Sequence, residues 1–293
     1  MNFKLKTFLL IGVVLVSVFA TNNFFVFRGE KKVFGFLNSG RVKAEKTDLS
    51  GEGLKRDVLA SLETATNLKK EPMRNWKVLD PELSAKAAIV QSLDDYFPFY
   101  HANIYAEWPA ASLTKLVTAI VALDAKSSLS KVQIKSGVMA VDDAAGNLRL
   151  GEVYNVEDLL KIMLLTSSNR AAAAIEETMG GREVFVRLIN KKASEIGMDQ
   201  TVFFDANGLS SLNTTTASDT LKLVRYILKN HPEIFKWTRT PSFLVQPVNF
   251  AESRVVGNIN PLVNQGNFLG GKTGTSVKAK ENLAAVFSLG ERR

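Results

Sequence analysis

The chain has 293 residues, of which 46% are hydrophobic and 23% are charged, and this composition excludes a disordered or fibrous protein. Lysine and arginine number 37 against 29 acidic residues, so the net charge of +8 favours anionic surroundings such as phospholipid headgroups, nucleic acid or an acidic polymer. The absence of cysteine excludes disulfides, thiolate nucleophiles, cysteine-ligated metals and a lipid-modified cysteine. His101 and His231 do not form a metal-binding pair, so we expect neither a metal nor another cofactor.

The N-terminal residues have the pattern of an export signal. Lys4 and Lys6 precede thirteen mostly apolar residues, 8–20, which end in Val-Phe-Ala, a sequence suited to signal peptidase. A second apolar run at 24–27 extends the segment to about the bilayer-spanning length, so residues 1–27 are either a signal peptide or a membrane anchor. A buried core helix is the third interpretation. Export places the rest of the protein in the periplasm or on the outer face of the cytoplasmic membrane, with its N-terminus at the membrane surface.

Residues 28–75 are rich in lysine, glutamate, serine and glycine, and this composition predicts a polar tether. Residues 76–293 have the length of one domain. Apolar alternation predicts strands at 87–90, 99–108, 201–204, 243–245, 255–256, 268–276 and 283–289, and helical periodicity predicts helices at 112–125, 156–165, 171–179, 184–196 and 218–228. We therefore predict an α+β fold, in which the first and last strands share one antiparallel sheet and a helical cluster packs beside or across it.

A serine and a lysine lie on one face of the first predicted helix. Ser112 and Lys115 are three residues apart, which places their side chains on adjacent turns. A serine hydroxyl becomes a nucleophile when a base takes its proton, and a lysine serves as that base when burial or a nearby cation lowers its pKa. Ser128 and Lys131 repeat the pattern, but they lie in a polar connection, where we do not expect a function.

Two further motifs accompany this pair. Ser167-Ser168-Asn169 interrupts two predicted helices, where a serine would also serve as a helix N-cap. Lys272-Thr273-Gly274 follows Gly270-Gly271 on a predicted strand, where glycines allow another backbone or a ligand to approach closely. A surface turn is the simpler interpretation of these glycines. A phosphate-binding loop is excluded by the spacing.

The order Ser-x-x-Lys, Ser-x-Asn and Lys-Thr-Gly is the motif set of penicillin-binding proteins and class A β-lactamases. With 55 and then 105 residues between motifs, the chain resembles the low-molecular-mass penicillin-binding proteins, which are serine D-alanyl-D-alanine carboxypeptidases, over about residues 87–289. The likeness extends to residues 111–119, 150–152, 156–160, 193–198, 204–209 and 216–219. The resemblance implies the β-lactamase/transpeptidase-like fold.

The resemblance also implies an acyl-transfer reaction on the terminal D-alanines of peptidoglycan stem peptides. Ser112 would attack the carbonyl between them, Lys115 would accept its proton, and Ser167 would relay a proton to the leaving amine. β-Lactams would acylate the same serine and remain attached. The resemblance does not decide between carboxypeptidase action and endopeptidase action on cross-links.

The remaining motif residues are implied to bind the substrate. Asn169 would orient the acyl chain, and Lys272 with Thr273 and the following Gly274 would hold the terminal carboxylate. Lys272 would also help to depress the pKa of the catalytic lysine. The backbone N–H group of Thr275, with that of the nucleophile, would form the oxyanion hole, in which each donor is typically worth about 3 kcal/mol in the transition state.

Three features depart from the family pattern. Arg170 follows Ser-x-Asn where the family usually has aspartate, Gly270 stands where it commonly has aspartate, and the sequence stops at Arg293, so the sheet is expected to lack its last strand and helix.

Two other functions remain open. A catalytically silent wall-binding module would keep the fold without the activity. A class A β-lactamase would need a glutamate for deacylation, and Glu177, Glu183 and Glu195 lack the expected context. Nucleic-acid binding is disfavoured, because no stripe of basic and aromatic residues is present.

Overall fold

The computed structural model describes residues 12–16, 77–79, 81–125, 130–143 and 145–288. Of the described residues, 12–16 and those from 82 onward belong to one compact unit, and 77–79 and 81 belong to a second. The predicted tether at 28–75, and the predicted signal or anchor apart from residues 12–16, lie outside the described residues. Within the described ranges, no helix is long and apolar enough to cross a bilayer.

The described elements alternate between short strands and helices. The strands are β1 Gly12–Val16, β2 Ala87–Gln91, β3 Pro98–Ala102, β4 Trp108–Pro109, β5 Lys131–Gln133, β6 Val153–Asn155, β7 Thr214–Thr215, β8 Ser242–Val245, β9 Arg254–Gly257, β10 Phe268–Ser276 and β11 Lys280–Phe287. The helices are α1 Thr114–Asp124, α2 Ser136–Met139, α3 Val156–Thr166, α4 Asn169–Thr178, α5 Arg182–Ile196, α6 Ala217–Asn230 and α7 Glu233–Thr238.

The main sheet has five strands in the order β10-β11-β1-β2-β3, and every neighbouring pair is antiparallel. The predicted α+β fold is confirmed, since strands from both ends of the folded part share one sheet. The first and last of the predicted strands do not pair directly, because β1 lies between them. Gly12 is in register with Ala285 on one side and with Val90 on the other. The sequence did not predict that residues 12–16 would form a strand of this sheet.

Two helices form the centre of the hydrophobic core. Every residue of α1 from Thr114 to Leu123 is buried, and most of α3 is buried as well. These helices contact each other, and α1 also packs on α4 and α5. Full burial of each leucine or isoleucine typically stabilises the fold by about 1.5–3 kcal/mol. The core therefore fixes the N-terminal end of α1, which carries Lys115.

The predicted strand at 201–204 is wrong. Only an isolated bridge between Val202 and Thr214 forms there. The side-chain amide of Asn190 accepts from the Phe203 N–H at 2.9 Å and donates to the Phe203 carbonyl at 2.7 Å. This amide takes the backbone bonds that a strand partner would make, so the segment is held as a loop.

Candidate active site

The predicted nucleophile lies in a tight turn immediately before α1. Residues 111–113 form a single 3₁₀ turn, and Ala111 has a φ of 46°, a left-handed conformation that is uncommon for alanine. The side chain of Asn282 on β11 donates to the carbonyls of Pro109 at 2.8 Å and Ala110 at 3.0 Å. The turn that presents Ser112 is thereby attached to the hairpin formed by β10 and β11.

Lys115 lies one helical turn after Ser112 and is fully buried. Its Nζ is 3.0 Å from Ser112 Oγ, 2.8 Å from Asn169 Oδ1 and 2.5 Å from the carbonyl oxygen of Asn207. Two of these three atoms, the amide oxygen and the carbonyl oxygen, can only accept hydrogen bonds. A neutral amine has two N–H bonds and one lone pair, so the two acceptors occupy both N–H bonds. The lone pair is left for the hydroxyl of Ser112.

Burial lowers the pKa of Lys115 from 10.5 to about 7, because the charged form loses its hydration. The carboxylates of Asp143 and Asp205 oppose this shift. A substantial fraction of the lysine is therefore neutral at neutral pH. Only this neutral form has a lone pair that can accept a proton.

The turn between α3 and α4 places its three polar residues in different roles. Ser167 has a φ of 61° and a ψ of 28°. Ser168 is buried and caps α4 by accepting from Ala171 N at 3.2 Å, which confirms the N-cap interpretation for this serine. Asn169 reaches Lys115. The turn therefore presents Ser167 and Asn169 to the site and uses Ser168 for its own support.

Lys272 of β10 is the second buried lysine of the site. Its Nζ is 3.0 Å from Ser167 Oγ and 2.7 Å from the carbonyl oxygen of Thr273. The pKa of Lys272 is lowered well below 10.5, first by burial and second by the positive charge of Lys115. The sequence predicted that Lys272 would depress the pKa of Lys115; in the structure burial causes that shift, and the repulsion acts on Lys272.

Glycines bring β10 close to the nucleophile and to its neighbours. A Cβ on Gly274 would lie 3.1 Å from Ser112 N, and a Cβ on Gly271 would lie 2.4 Å from the Ala284 carbonyl oxygen. Gly270 has a φ of 138° and lies against the backbone of Phe235. The interpretation of these glycines as points of close approach is confirmed. Thr273 and Thr275 lie on either side of Gly274 along this strand.

The loop after α5 supplies contacts that sequence reasoning missed. Asn207 was not among the predicted site residues, yet its carbonyl is the shortest contact of Lys115. The carboxylate of Asp205 shapes this loop by accepting from Gly208 N at 2.7 Å and from Ser210 N at 2.6 Å. The family likeness over residues 204–209 pointed to this loop, but it could not identify the contact, because every residue has a backbone carbonyl.

Replacing Gly208 with alanine tests this packing. Gly208 has a φ of 82°, and a Cβ there would lie 2.0 Å from the Ala111 carbonyl oxygen. We expect Gly208→Ala to displace the loop and the nucleophile turn, with a loss of stability of about 1–3 kcal/mol. Thermal unfolding measures the effect. Gly257→Ala is the control, because a Cβ on Gly257 meets nothing within 4 Å; equal unfolding temperatures for the two variants would contradict this account.

The second Ser-x-x-Lys sequence and the glutamates considered for a β-lactamase show no contact with these site residues in the part of the chain that the structure describes. Lys131 of the second Ser-x-x-Lys sequence is exposed at the start of β5, and Ser128 lies outside the described residues. Glu177 pairs with Lys135 at 3.5 Å, and Glu195 pairs with Lys192 at 2.6 Å. Among the described residues, no group of three or more histidines and acids is placed to hold a metal ion.

The site therefore combines three distant parts of the chain. Ser112, Lys115 and Asn169 meet through one amine, Ser167 and Lys272 meet through another, and Gly274 abuts the nucleophile's backbone. A hydroxyl with a buried amine as its base can attack an acyl carbon and form an ester. A second buried amine can bind an anionic group of the substrate.

The chain is similar to known proteins in sequence and in fold. The profile of the D-alanyl-D-alanine carboxypeptidase family, peptidase S11, matches residues 74–293. The D-alanyl-D-alanine endopeptidase of Pseudomonas aeruginosa is 33% identical over 167 residues, which are 56% of this chain and 53% of that protein. The chain spans less than two thirds of the length of the curated endopeptidases that it matches.

Solved structures show the same fold. The D-alanyl-D-alanine carboxypeptidase from Mycobacterium tuberculosis H37Rv has a TM-score of 0.68 at 26% identity, with 76% of this chain and 84% of that chain covered. The ampicillin-bound form of penicillin-binding protein D2 from Listeria monocytogenes has a TM-score of 0.60 at 25% identity, with 72% and 91% covered. The fold of the described domain is therefore that of the penicillin-binding proteins.

Proposed function

Because the chain belongs to the D-alanyl-D-alanine carboxypeptidase family, we propose that it is a serine DD-peptidase that cleaves peptidoglycan stem peptides after the penultimate D-alanine. The observation that carries this proposal is the set of three contacts around Lys115 Nζ. In the neutral form of Lys115, which its lowered pKa makes accessible, the Asn169 and Asn207 oxygens accept both N–H bonds and the lone pair is left for the hydroxyl of Ser112, and such a pair is an activated nucleophile.

In the proposed acylation step, Ser112 Oγ attacks the carbonyl carbon between the two terminal D-alanines, and its proton passes to Lys115 Nζ. The N–H groups of Ser112 and Thr275 stabilise the developing oxyanion. The tetrahedral intermediate then breaks its C–N bond, and the departing amine receives the proton held by Lys115, relayed through the hydroxyl of Ser167. The products are an ester of Ser112 and a free D-alanine. In deacylation, the hydroxyl of a water molecule joins the acyl carbon, and the proton of that water passes through Lys115 to the oxygen of Ser112.

Substrate binding is assigned to the other motif residues. Lys272 is protonated when the terminal carboxylate of the substrate enters the site, because an anion offsets both the burial and the repulsion that lower its pKa. Thr273 and Gly274 complete the carboxylate site along β10, and Asn169 orients the acyl chain while its Oδ1 holds Lys115. We propose that β-lactams acylate Ser112 in the same geometry. The penicillin-binding structure with ampicillin supports this step.

The bond that is cleaved in peptidoglycan is the finer part of the proposal. We propose carboxypeptidase action, which removes the terminal D-alanine, and the matching family profile supports it. The relative from Pseudomonas aeruginosa is named an endopeptidase, which supports action on cross-links as the second candidate. Both reactions use the same acyl-enzyme and differ in the amine that leaves.

We also propose that the protein acts outside the cytoplasm, where peptidoglycan is found. The support is the sequence of residues 1–27, with two lysines before an apolar run. Cell fractionation and N-terminal sequencing of the mature protein test this proposal, because a start after Ala20 identifies a cleaved signal and an intact start with membrane association identifies an anchor. Recovery of the intact chain in the cytoplasm would contradict it.

The activity is tested with the full-length chain and a fluorescent penicillin. We expect covalent label that persists after denaturation, and D-alanine release from a pentapeptide substrate. Digestion of cross-linked and uncross-linked muropeptides, followed by mass spectrometry, then distinguishes endopeptidase from carboxypeptidase action. Rapid loss of the label would indicate a β-lactamase, and absence of label on a folded chain would indicate a silent wall-binding module; either result would overturn the proposal.

A further inference from the structure

The turn that carries Ser167 and Asn169 needs support from outside itself. Ser167 adopts a left-handed backbone conformation that serine rarely occupies. Such a conformation persists only where the surroundings fix it. The residues that hold this turn therefore determine where the hydroxyl of Ser167 and the amide of Asn169 lie.

One carboxylate from a separate loop provides most of that support. Asp143 Oδ2 accepts from Ser168 Oγ at 2.6 Å and from the backbone N–H of Arg170 at 2.9 Å. Its other oxygen, Oδ1, accepts from Ala145 N at 2.8 Å, which fixes the carboxylate to its own loop. Asp143 thus binds both residues that flank Asn169, and one of them, Ser168, is the serine that caps α4.

The side chain of Arg170 binds the segment that carries Asp143. Its Nε donates to the Val141 carbonyl at 3.0 Å, and one terminal nitrogen donates to the Met139 carbonyl at 3.2 Å. The segment 139–143 and the first turn of α4 therefore hold each other from both sides. Arg170 was singled out in the sequence as a departure from the family pattern, and this reciprocal clamp gives it a role.

Asp143 also contributes charge to the site. The charged groups that act on the pKa of Lys115 are the carboxylates of Asp143 and Asp205, which favour its ammonium form, and the pKa of the neighbouring amine of Lys272 is itself shifted by the charge of Lys115. The contribution of Asp143 is the larger of the two favourable ones. Ser112, Asn169 and the Asn207 carbonyl contact Lys115 without carrying charge.

We propose that Asp143 is a positioning residue of the reaction, which holds the turn carrying Ser167 and Asn169 and supplies negative charge to the buried Lys115. This proposal rests on the proposed function, since it assigns Asp143 a part in the acylation of Ser112. Asp143 acts through Ser168, Arg170 and Lys115, and the geometry gives it no contact with the reacting atoms.

The test is the pH dependence of acylation by a fluorescent penicillin in Asp143→Asn. Asparagine fills the same volume but carries no charge, and it cannot accept at both oxygen positions. Loss of the charge removes a group that favours protonated Lys115, so the pH profile of the acylation rate is expected to move down by about one pH unit. Weaker support of the turn is expected to lower the plateau rate by about tenfold.

A second variant separates the two roles. Ser168→Ala removes the hydrogen bond to Asp143 together with the N-cap of α4, and it keeps the carboxylate, so it is expected to lower the rate without moving the profile. Glu252→Gln is the control for loss of an acid, because Glu252 is exposed and pairs with Arg149 away from these contacts; neither its rate nor its profile is expected to change. Circular dichroism and thermal unfolding establish that each variant is folded.

Each outcome decides the proposal. The proposal is supported if the pH profile of acylation moves down in Asp143→Asn and stays in place in Ser168→Ala and Glu252→Gln. It is overturned if Asp143→Asn is folded and labelled but its pH profile does not move, and the proposed function then stands. If Asp143→Asn does not fold, a lower rate with an unmoved profile in Ser168→Ala supports the clamp, and wild-type behaviour of Ser168→Ala overturns it. Absence of labelling in the wild type would overturn the proposed function, and this inference with it.

Discussion

Ser112→Ala is expected to abolish covalent labelling by a fluorescent penicillin and to reduce D-alanine release by about 10⁶-fold, because no other group takes the place of an enzyme's nucleophile. Ser112 is partly exposed in the turn before α1, and its Oγ lies 3.0 Å from Lys115 Nζ. Loss of one hydroxyl from this turn is not expected to unfold the protein. Gel fluorescence and chromatographic measurement of free D-alanine give the two readouts.

The sequence contains a matched control for this variant. Ser128 begins the second Ser-x-x-Lys sequence, so Ser128→Ala makes the same chemical change within the same local pattern. Label and turnover are expected to remain at the wild-type level. Equal labelling of Ser112→Ala and the wild type would show that the acylated residue is not Ser112, and the assigned mechanism would fail.

Lys115→Met is expected to lower the acylation rate by about 10²–10⁴-fold, the contribution typical of a general base. In the wild type, the rate is expected to rise with pH through about 7, because burial lowers the pKa of Lys115 to that value and only the neutral amine accepts the proton. The measurement is the acylation rate from pH 5 to pH 9. A rate in Lys115→Met that keeps the wild-type rise near pH 7 would assign that titration to another group.

The same lysine makes stability depend on pH. Its folded pKa of about 7 lies below the ordinary lysine value of 10.5, so between these values the unfolded chain binds more protons and the free energy of unfolding rises with pH. The slope from one such lysine is at most about 1.4 kcal/mol per pH unit. Urea unfolding between pH 7.5 and 9.5 should show this slope in the wild type and a smaller slope in Lys115→Met. A slope remains in the variant because the pKa of Lys272 is also lowered, which gives a contribution of the same sign. An unchanged slope would mean that Lys115 is charged in the folded protein.

The residues of the site that could be predicted belong to short motifs, whose residue types and order can be read directly from the sequence. Ser112, Lys115, Ser167, Asn169 and Lys272 form recurring motifs, and the structure brings all five together. The fold class followed from strands at both ends of the folded part. The roles assigned to these residues in the reaction remain predictions until the variants are measured.

The parts that could not be predicted depend on contacts between distant segments. The carbonyl of Asn207 contacts Lys115, which is 92 residues earlier in the sequence. Every residue has a backbone carbonyl, so the sequence does not distinguish this one. Asp143 is one acid among 29 acidic residues, and its importance comes from the fold that brings it to Ser168. The segment 201–204 has the alternation of a strand, but the amide of Asn190 takes its backbone bonds.

Strand β1 links the N-terminus to the assembly state of the protein. Gly12–Val16 occupies an interior position of the sheet and satisfies the backbone groups of β2 and β11 on both sides. Removal of this segment by a signal peptidase would leave each of those strands with an open edge, and open edges recruit strands from other molecules. N-terminal processing and self-association would then be coupled, and a cleaved chain would gain partners that the intact chain excludes.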